Sequence, residues 1–404
     1  MLQRILHRLL ARRHFWRYAT FGEIAELYAS RLLRVFALKF VATFTSIFLL
    51  NEGYSLTFLC FFWASFYAFK IGISWPSAKV AAYFGPKHGT LYSNIISALS
   101  MIFLALVPQY GLPVLYLWCI LQASSSTLYD LCYLVDFSKV KHNDHAGKEI
   151  GYMNSIEKIA TGLSPVIGGF IATLWSPIAA MALSSIMFLL SAVPLFLTAE
   201  PVRTRQRISF EAFPWRLIRQ SLIAQAAIGI DVFTTASAWT MFLAIVVFAG
   251  DGNSLYAKIG VLASLTLLVS LVTSYVFGKI IDRKEGGTLL VASSIVNSIT
   301  HFFRPTVQSW IGVVANNTVN EVATTGYAMA FTRGMFDTAD QSGFRIAYLF
   351  LIEISANAGA MIAALLLGLC CVIASGPSGF TAFFAISGLL TLMIGFPRFK
   401  LYQK

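Results

Sequence analysis

From residue 30 onward the chain alternates long apolar runs with short polar breaks. The runs cover 30–50, 55–83, 89–107, 112–136, 150–174, 178–198, 218–248, 255–281, 288–303, 307–331, 345–371 and 378–396. A helix needs roughly 20 apolar residues to cross a bilayer, so the pattern predicts about twelve membrane-spanning helices. The breaks read as turns: "PQYGLP" (108–113), "WSP" (175–177) and "ASGPSG" (374–379) are rich in the Gly, Pro and Ser that end helices. One break is longer. The polar, basic stretch "AEPVRTRQRISFEAFPWR" (199–216) has six predicted spans on either side.

The two sides echo each other. "GKEIGYMNSIEKIA" (147–160) lies in the fifth run and "GFRIAYLFLIEISA" (343–356) in the eleventh. They share Gly, Ile, Tyr, Ile, Glu and Ala at matching offsets, including Glu157 and Glu353. "GYSL" (53–56) and "GNSL" (252–255) each join the first two runs of a half. Such a repeat predicts an all-α membrane protein of two pseudo-symmetric six-helix bundles, 21–198 and 217–397. Residues 1–20 precede them, 199–216 link them, and 398–404 form a tail.

Composition agrees with a lipid environment. The chain is 57% hydrophobic and 12% charged, about half the charge of a soluble domain. The formal charge is +12. A membrane protein carries such a surplus in its cytoplasmic loops, and nucleic acid is not needed to explain it. With the N-terminus inside, the inner loops hold Lys87, Lys139, Lys141, Lys148, Arg203, Arg205, Arg207, Lys279, Arg283, Lys284 and Arg333. The opposite loops hold almost none, Arg304 excepted, so both termini are expected in the cytoplasm, in a plasma (inner) membrane. Residues 2–13 interleave leucines with Arg4, Arg8, Arg12 and Arg13. They read as a basic amphipathic helix on the cytoplasmic leaflet or as a solvated tail. The five cysteines all lie in apolar runs, and neither a disulfide framework nor zinc spacing results.

Three motifs carry a resemblance to the major facilitator superfamily. "GKIIDRKEGG" (278–287) is similar to the family's loop motif through Gly278, Ile280, Asp282 and Arg283. Its first-half counterpart "AKVAAYFGPKHG" (78–89) keeps Gly85 and Lys87, but Ala78 and Ala82 replace the family's Gly and Asp. "SPVIGG" (164–169) resembles the proline-glycine motif of the family's antiporters through Pro165, Gly168 and Gly169. The resemblance implies rocking of two six-helix halves, with these loops and glycines in gating, and it leans toward export by antiport. An arginine that the family carries in its fourth span is absent, Cys119 standing near its place.

Charges at bilayer depth are costly and tend to mark function. In the first half they are Arg34, Lys39, Lys70, Asp130, Glu157 and Lys158; in the second, Asp231, Glu321 and Glu353. Asp231 is flanked by Thr234, Thr235 and Ser237. Glu321 and Asn320 lie in the polar run "NNTVNEVATTGY" (316–327). Asp231, Glu321, Trp239 and Asn320 are expected to line a central cavity. Each carboxylate reads equally as a proton or substrate site or as an internal clamp. Glu157 is expected to pair with Lys158 or Lys70, and Glu353 with Arg345. "KHNDHAGKE" (141–149) brings His142, Asp144 and His145 together, but in a short loop these read as solvated groups, so no metal and no cofactor are expected. No P-loop is present, so ATP does not drive the protein directly. The expectation is a monomeric secondary transporter, not an enzyme. It moves a small organic solute, with a proton as coupling ion. The alternatives are an uptake symporter or uniporter, and, in another class, a transporter-shaped receptor or lipid scramblase.

Overall fold

The computed structural model describes residues 21–140, 146–196, 208, 210–249, 254–374 and 377–403. The predicted N-terminal surface helix, most of the basic linker and the His142–Asp144–His145 group lie outside these residues.

Among the described residues, twelve helical rods follow one another. In the first half α1 covers Phe21–Ala42 and resumes over Thr45–Asn51, α2 is Leu56–Tyr83, and α3 is Pro86–Ala105. There follow α4 (Leu112–Val140), α5 (Ala146–Leu174) and α6 (Pro177–Ala192). The second half has α7 (Trp215–Val247), α8 (Ser254–Asp282), α9 (Gly286–Phe303), α10 (Trp310–Ser342), α11 (Arg345–Ile373) and α12 (Gly379–Thr391). Local chemistry sets the ends. The Ser55, Ser176 and Ser309 hydroxyls accept from Phe58, Ala179 and Gly312 amides and cap α2, α6 and α10. Gly85 opens α3 at a φ of 97°, which a side chain would resist.

Among the described residues, seven rods are individually long and apolar enough to cross a bilayer: α1, α2, α3, α6, α7, α8 and α11. The others carry too much polarity or are short. In α4 the run Gln122–Ser126 is followed by Asp130 and Asp136, and in α10 Asn316, Asn317, Asn320 and Glu321 crowd one stretch. Such faces must meet protein or water, because lipid cannot satisfy them.

Within the first half α3 packs on α4 and α6, and α1 on α5 and α6; within the second α7 packs on α11, and α9 on α10 and α12. The two largest contacts between the halves are α2 against α11 and α5 against α8. They are exchanged by the repeat that relates α2 to α8 and α5 to α11. The α5–α8 seam is close because its glycines leave room. A Cβ on Gly169 would stand 2.6 Å from the Tyr256 carbonyl oxygen, and one on Gly260 would stand 2.5 Å from that of Pro165. The two larger hydrophobic cores, one nearer each end of the bundle, draw residues from both halves.

Besides α8, which is interrupted at Thr266, two rods differ from a plain helix. α1 is interrupted at 43–44, one turn past Lys39. α7 widens into π-helical turns over Thr234–Ala238 and Leu243–Val247. The period of apolar residues predicts neither. The first π turn has a local cause: Arg304 donates to the Thr234 carbonyl (3.1 Å) and the Thr235 hydroxyl (3.1 Å), drawing backbone out of the regular ladder.

Candidate functional site: a polar cavity between the halves

A cavity of about 430 Å³ lies between the bundles, walled by α1, α2, α4 and α5 on one side and α7, α8 and α10 on the other. Trp63, Phe66, Trp118 and Trp239 supply flat apolar surface. Lys39, Lys70, Asp130 and Glu321 supply charge, and Gln122, Asn317 and Asn320 supply amides. Both ends are bridged. Phe137 meets Phe336, and Trp75 meets Phe350, toward the end where α2 turns into α3. At the other end Asn51 donates to the Tyr256 hydroxyl at 2.9 Å.

The charges fall into linked sets. Lys70, midway along α2, stands 3.5 Å from Asp130 of its own half and 3.4 Å from Glu353 across the interface. Glu353 also accepts from the Asn357 amide at 2.7 Å. Lys158 on α5 pairs with Glu321 on α10 at 2.6 Å, again across the halves. Glu157, by contrast, pairs inside the first half with Arg31 of α1, at 2.8 Å. The Arg31 guanidinium also lies over the Tyr133 ring, 4.4 Å from its centroid. These pairings correct the expected ones: Glu157 takes neither Lys158 nor Lys70. Arg345 pairs with Asp340, its neighbour across the α10–α11 turn, instead of reaching along α11 to Glu353. In each case a cation from a remote stretch of chain lies closer to the glutamate, Arg31 to Glu157 and Lys70 to Glu353.

Asp231 does not line the cavity. It lies behind the wall, 1% exposed, and accepts from Asn297 (2.7 Å), His301 (2.6 Å) and the Tyr327 hydroxyl. Arg304, read in the sequence as a loop charge, is also fully buried. Besides its bonds to α7 it donates to Asn320 at 3.0 Å, and its guanidinium sits over the Trp239 ring, 5.1 Å from the centroid. Trp239 in turn donates to Asn317 at 2.8 Å. Thus Trp239, Asn317 and Asn320 are wall residues held from behind by a buried ionic core. Sequence reasoning missed His301, Asn297 and Arg304. A signal existed: Asn297 and His301 are four apart on an otherwise apolar helix, which puts both on one face.

The motif residues take separate places. Pro165 lines the cavity, Gly168 lets the Phe40 carbonyl of α1 close against α5, and Gly169 does the same for Tyr256 of α8. Gly278 is buried near the end of α8, where Asp282 and Arg283 are exposed, and Lys87 is buried in the first turn of α3.

The family model for the Major Facilitator Superfamily matches residues 27–332, most of the chain. The chain belongs to that superfamily. Solved structures agree in fold. The human organic anion transporter MFSD10 (TETRAN) superposes with a TM-score of 0.66 at 11% identity, covering 95% of this chain and 99% of that one. A bacterial homologue of the iron transporter ferroportin, in an outward-facing state with soaked iron, gives 0.68 at 13% identity, covering 92% and 97%. The superfamily transporter FucP in an outward conformation gives 0.63 at 14% identity, covering 91% and 98%. No curated protein sequence matches the chain. As a superfamily member the protein is a multi-pass secondary transporter, not an enzyme, and its central cavity lies between the two halves.

Proposed function

We propose that this superfamily member moves a small organic solute by alternating access, coupled to protons and directed outward by antiport, with both termini in the cytoplasm. The observation that carries the coupling is Lys70, which holds Asp130 from its own half and Glu353 from the other at one edge of the cavity. A proton placed on Glu353 weakens a contact between the halves while leaving the contact within one half. Proton binding and opening are thereby linked. The polar lining favours a solute over a lipid, whose path would be apolar. The Gly168–Gly169 packing on α5 supports the antiporter resemblance, and the basic loops support the orientation. The fold likeness to a human organic anion transporter is consistent with an organic cargo.

The test is solute-induced proton movement in proteoliposomes carrying an internal pH dye. Solute entering should drive protons out, and Glu353→Gln should uncouple the two fluxes. Solute flux indifferent to an imposed pH gradient, or unchanged coupling in that variant, would refute the proposal. For orientation, Gln109→Cys, in the turn between α3 and α4, should label from outside cells. Glu285→Cys, in the turn between α8 and α9, should not.

A further inference from the structure

Resting on the reading of the cavity as a solute site, we infer that the solute is a small organic acid whose carboxylate is taken by Lys39. Lys39 lines the cavity on α1, just before the helix is interrupted. Among the described residues it is in no ion pair. The carboxylates that act on it are Glu157 and Glu321. Both are committed elsewhere, Glu157 to Arg31 at 2.8 Å and Glu321 to Lys158 at 2.6 Å. Three cations therefore meet two acids here.

The neighbouring group does not absorb the surplus. Arg34 and Lys70 face Asp130 and Glu353, so these two groups together hold five cations against four carboxylates. The second half's other buried acid, Asp231, has its own bonds to His301, Asn297 and Tyr327 behind the wall. A partly buried ammonium without an internal counter-ion is stabilised by an anion that enters the cavity. The rest of the cavity suits the body of such a molecule. Trp63, Phe66 and Trp239 offer flat apolar faces, and a volume of about 430 Å³ admits one or two rings.

The experiment measures equilibrium binding to the purified full chain with two matched sets. One is phenylacetate, phenylacetamide and phenethylamine; the other is 1-naphthoate, 1-naphthamide and 1-naphthylmethylamine. Each carboxylate should bind at least about tenfold more tightly than its amide or amine, the worth of one charge-assisted bond. Lys39→Gln should erase that preference, and Lys39→Arg should keep it. Should Lys39→Gln fail to fold, the comparison on the unaltered chain stands alone. Amides or amines that bind as tightly, carboxylates that do not bind at all, or an undiminished preference in Lys39→Gln would each overturn the inference. Failure of the proposed coupling is distinguishable. Carboxylates that bind at Lys39 but drive no proton flux leave this inference standing. An amine whose transport moves protons sinks it and spares the coupling.

Discussion

The repeated glutamate occupies two different environments. Glu353 reaches across the halves to Lys70, which retains Asp130 when Glu353 is neutralised. Glu157 is the only carboxylate bonded to Arg31 among the described residues. The two glutamine variants should therefore separate. Glu157→Gln leaves a largely buried guanidinium without its anion and should lower folding stability by about 2–3 kcal/mol. Glu353→Gln should lower it by about 1 kcal/mol or less, since Asp130 is partly exposed and keeps its lysine company. Its larger effect should be on accessibility of the cavity. Thermal unfolding in detergent checks the first statement, and cysteine accessibility along α11 the second. Equal losses of stability would show that the pairings do not matter. Arg304 is the other sharp case. Arg304→Met strips the donor from Asn320, Thr235 and the Thr234 carbonyl and removes the cation near Asp231. A loss of about 3–5 kcal/mol is expected, as for any broken buried ionic core. An unfolding temperature matching the unaltered chain would count against that core. The glutamates themselves stood out in the sequence because they are repeated. Their partners did not, because Arg31 lies 126 positions from Glu157 and pairing at that range depends on how α1 rests against α5.

At the scale of helices, apolar run length located the rods well and their ends less well. α1 begins at Phe21 and α10 runs on to Ser342, where the apolar pattern stops at 30 and 331. The cause is shared. The added turns of α1, 21–29, carry Glu23 and Glu26, and α10 continues past the apolar zone as a polar helix, so charge interrupts hydropathy without interrupting hydrogen bonding. The glycine motif was legible as close packing, but which helix it packs on was not. The structure divides the labour, with Gly168 serving α1 and Gly169 serving α8. This makes a paired test. Gly169→Ala places a methyl 2.6 Å from the Tyr256 carbonyl oxygen and must part α5 from α8, at a cost of about 1–3 kcal/mol. Gly72→Ala in α2 meets nothing within 4 Å and should gain about 0.5–1 kcal/mol from helix propensity. Unfolding temperatures should move in opposite directions. A Gly169→Ala protein as stable as Gly72→Ala would mean that the seam is loose.

Taken whole, the duplication is kept in shape and inverted in charge. The first half is built around Arg34, 2% exposed, which donates to Asn94 at 2.6 Å and lies 3.9 Å from the Tyr129 ring centroid. The second is built around Asp231, which accepts from Asn297 and Tyr327. Arg34 and Asp231 sit on the first rod of each half, the asparagines on the third and the tyrosines on the fourth. Each half thus has its own polar core and can turn as a unit, and the contacts that must change are those between halves. One of these is chemically convenient. Cys60 on α2 and Cys371 on α11 face each other across the interface, both buried. Gly368, one turn from Cys371, stands against the Cys60 Cβ. If the halves rock, α2 and α11 must part at this end during each cycle. Joining the two sulfurs with a membrane-permeant oxidant should then stop transport, and a reductant should restore it. With a protease site introduced into the 199–216 linker, the oxidised halves should stay together on a denaturing gel, and Cys60→Ser should abolish both effects. Full transport by a cross-linked protein would show that this contact stays closed throughout the cycle, and that solute passes by a smaller local movement within the cavity wall.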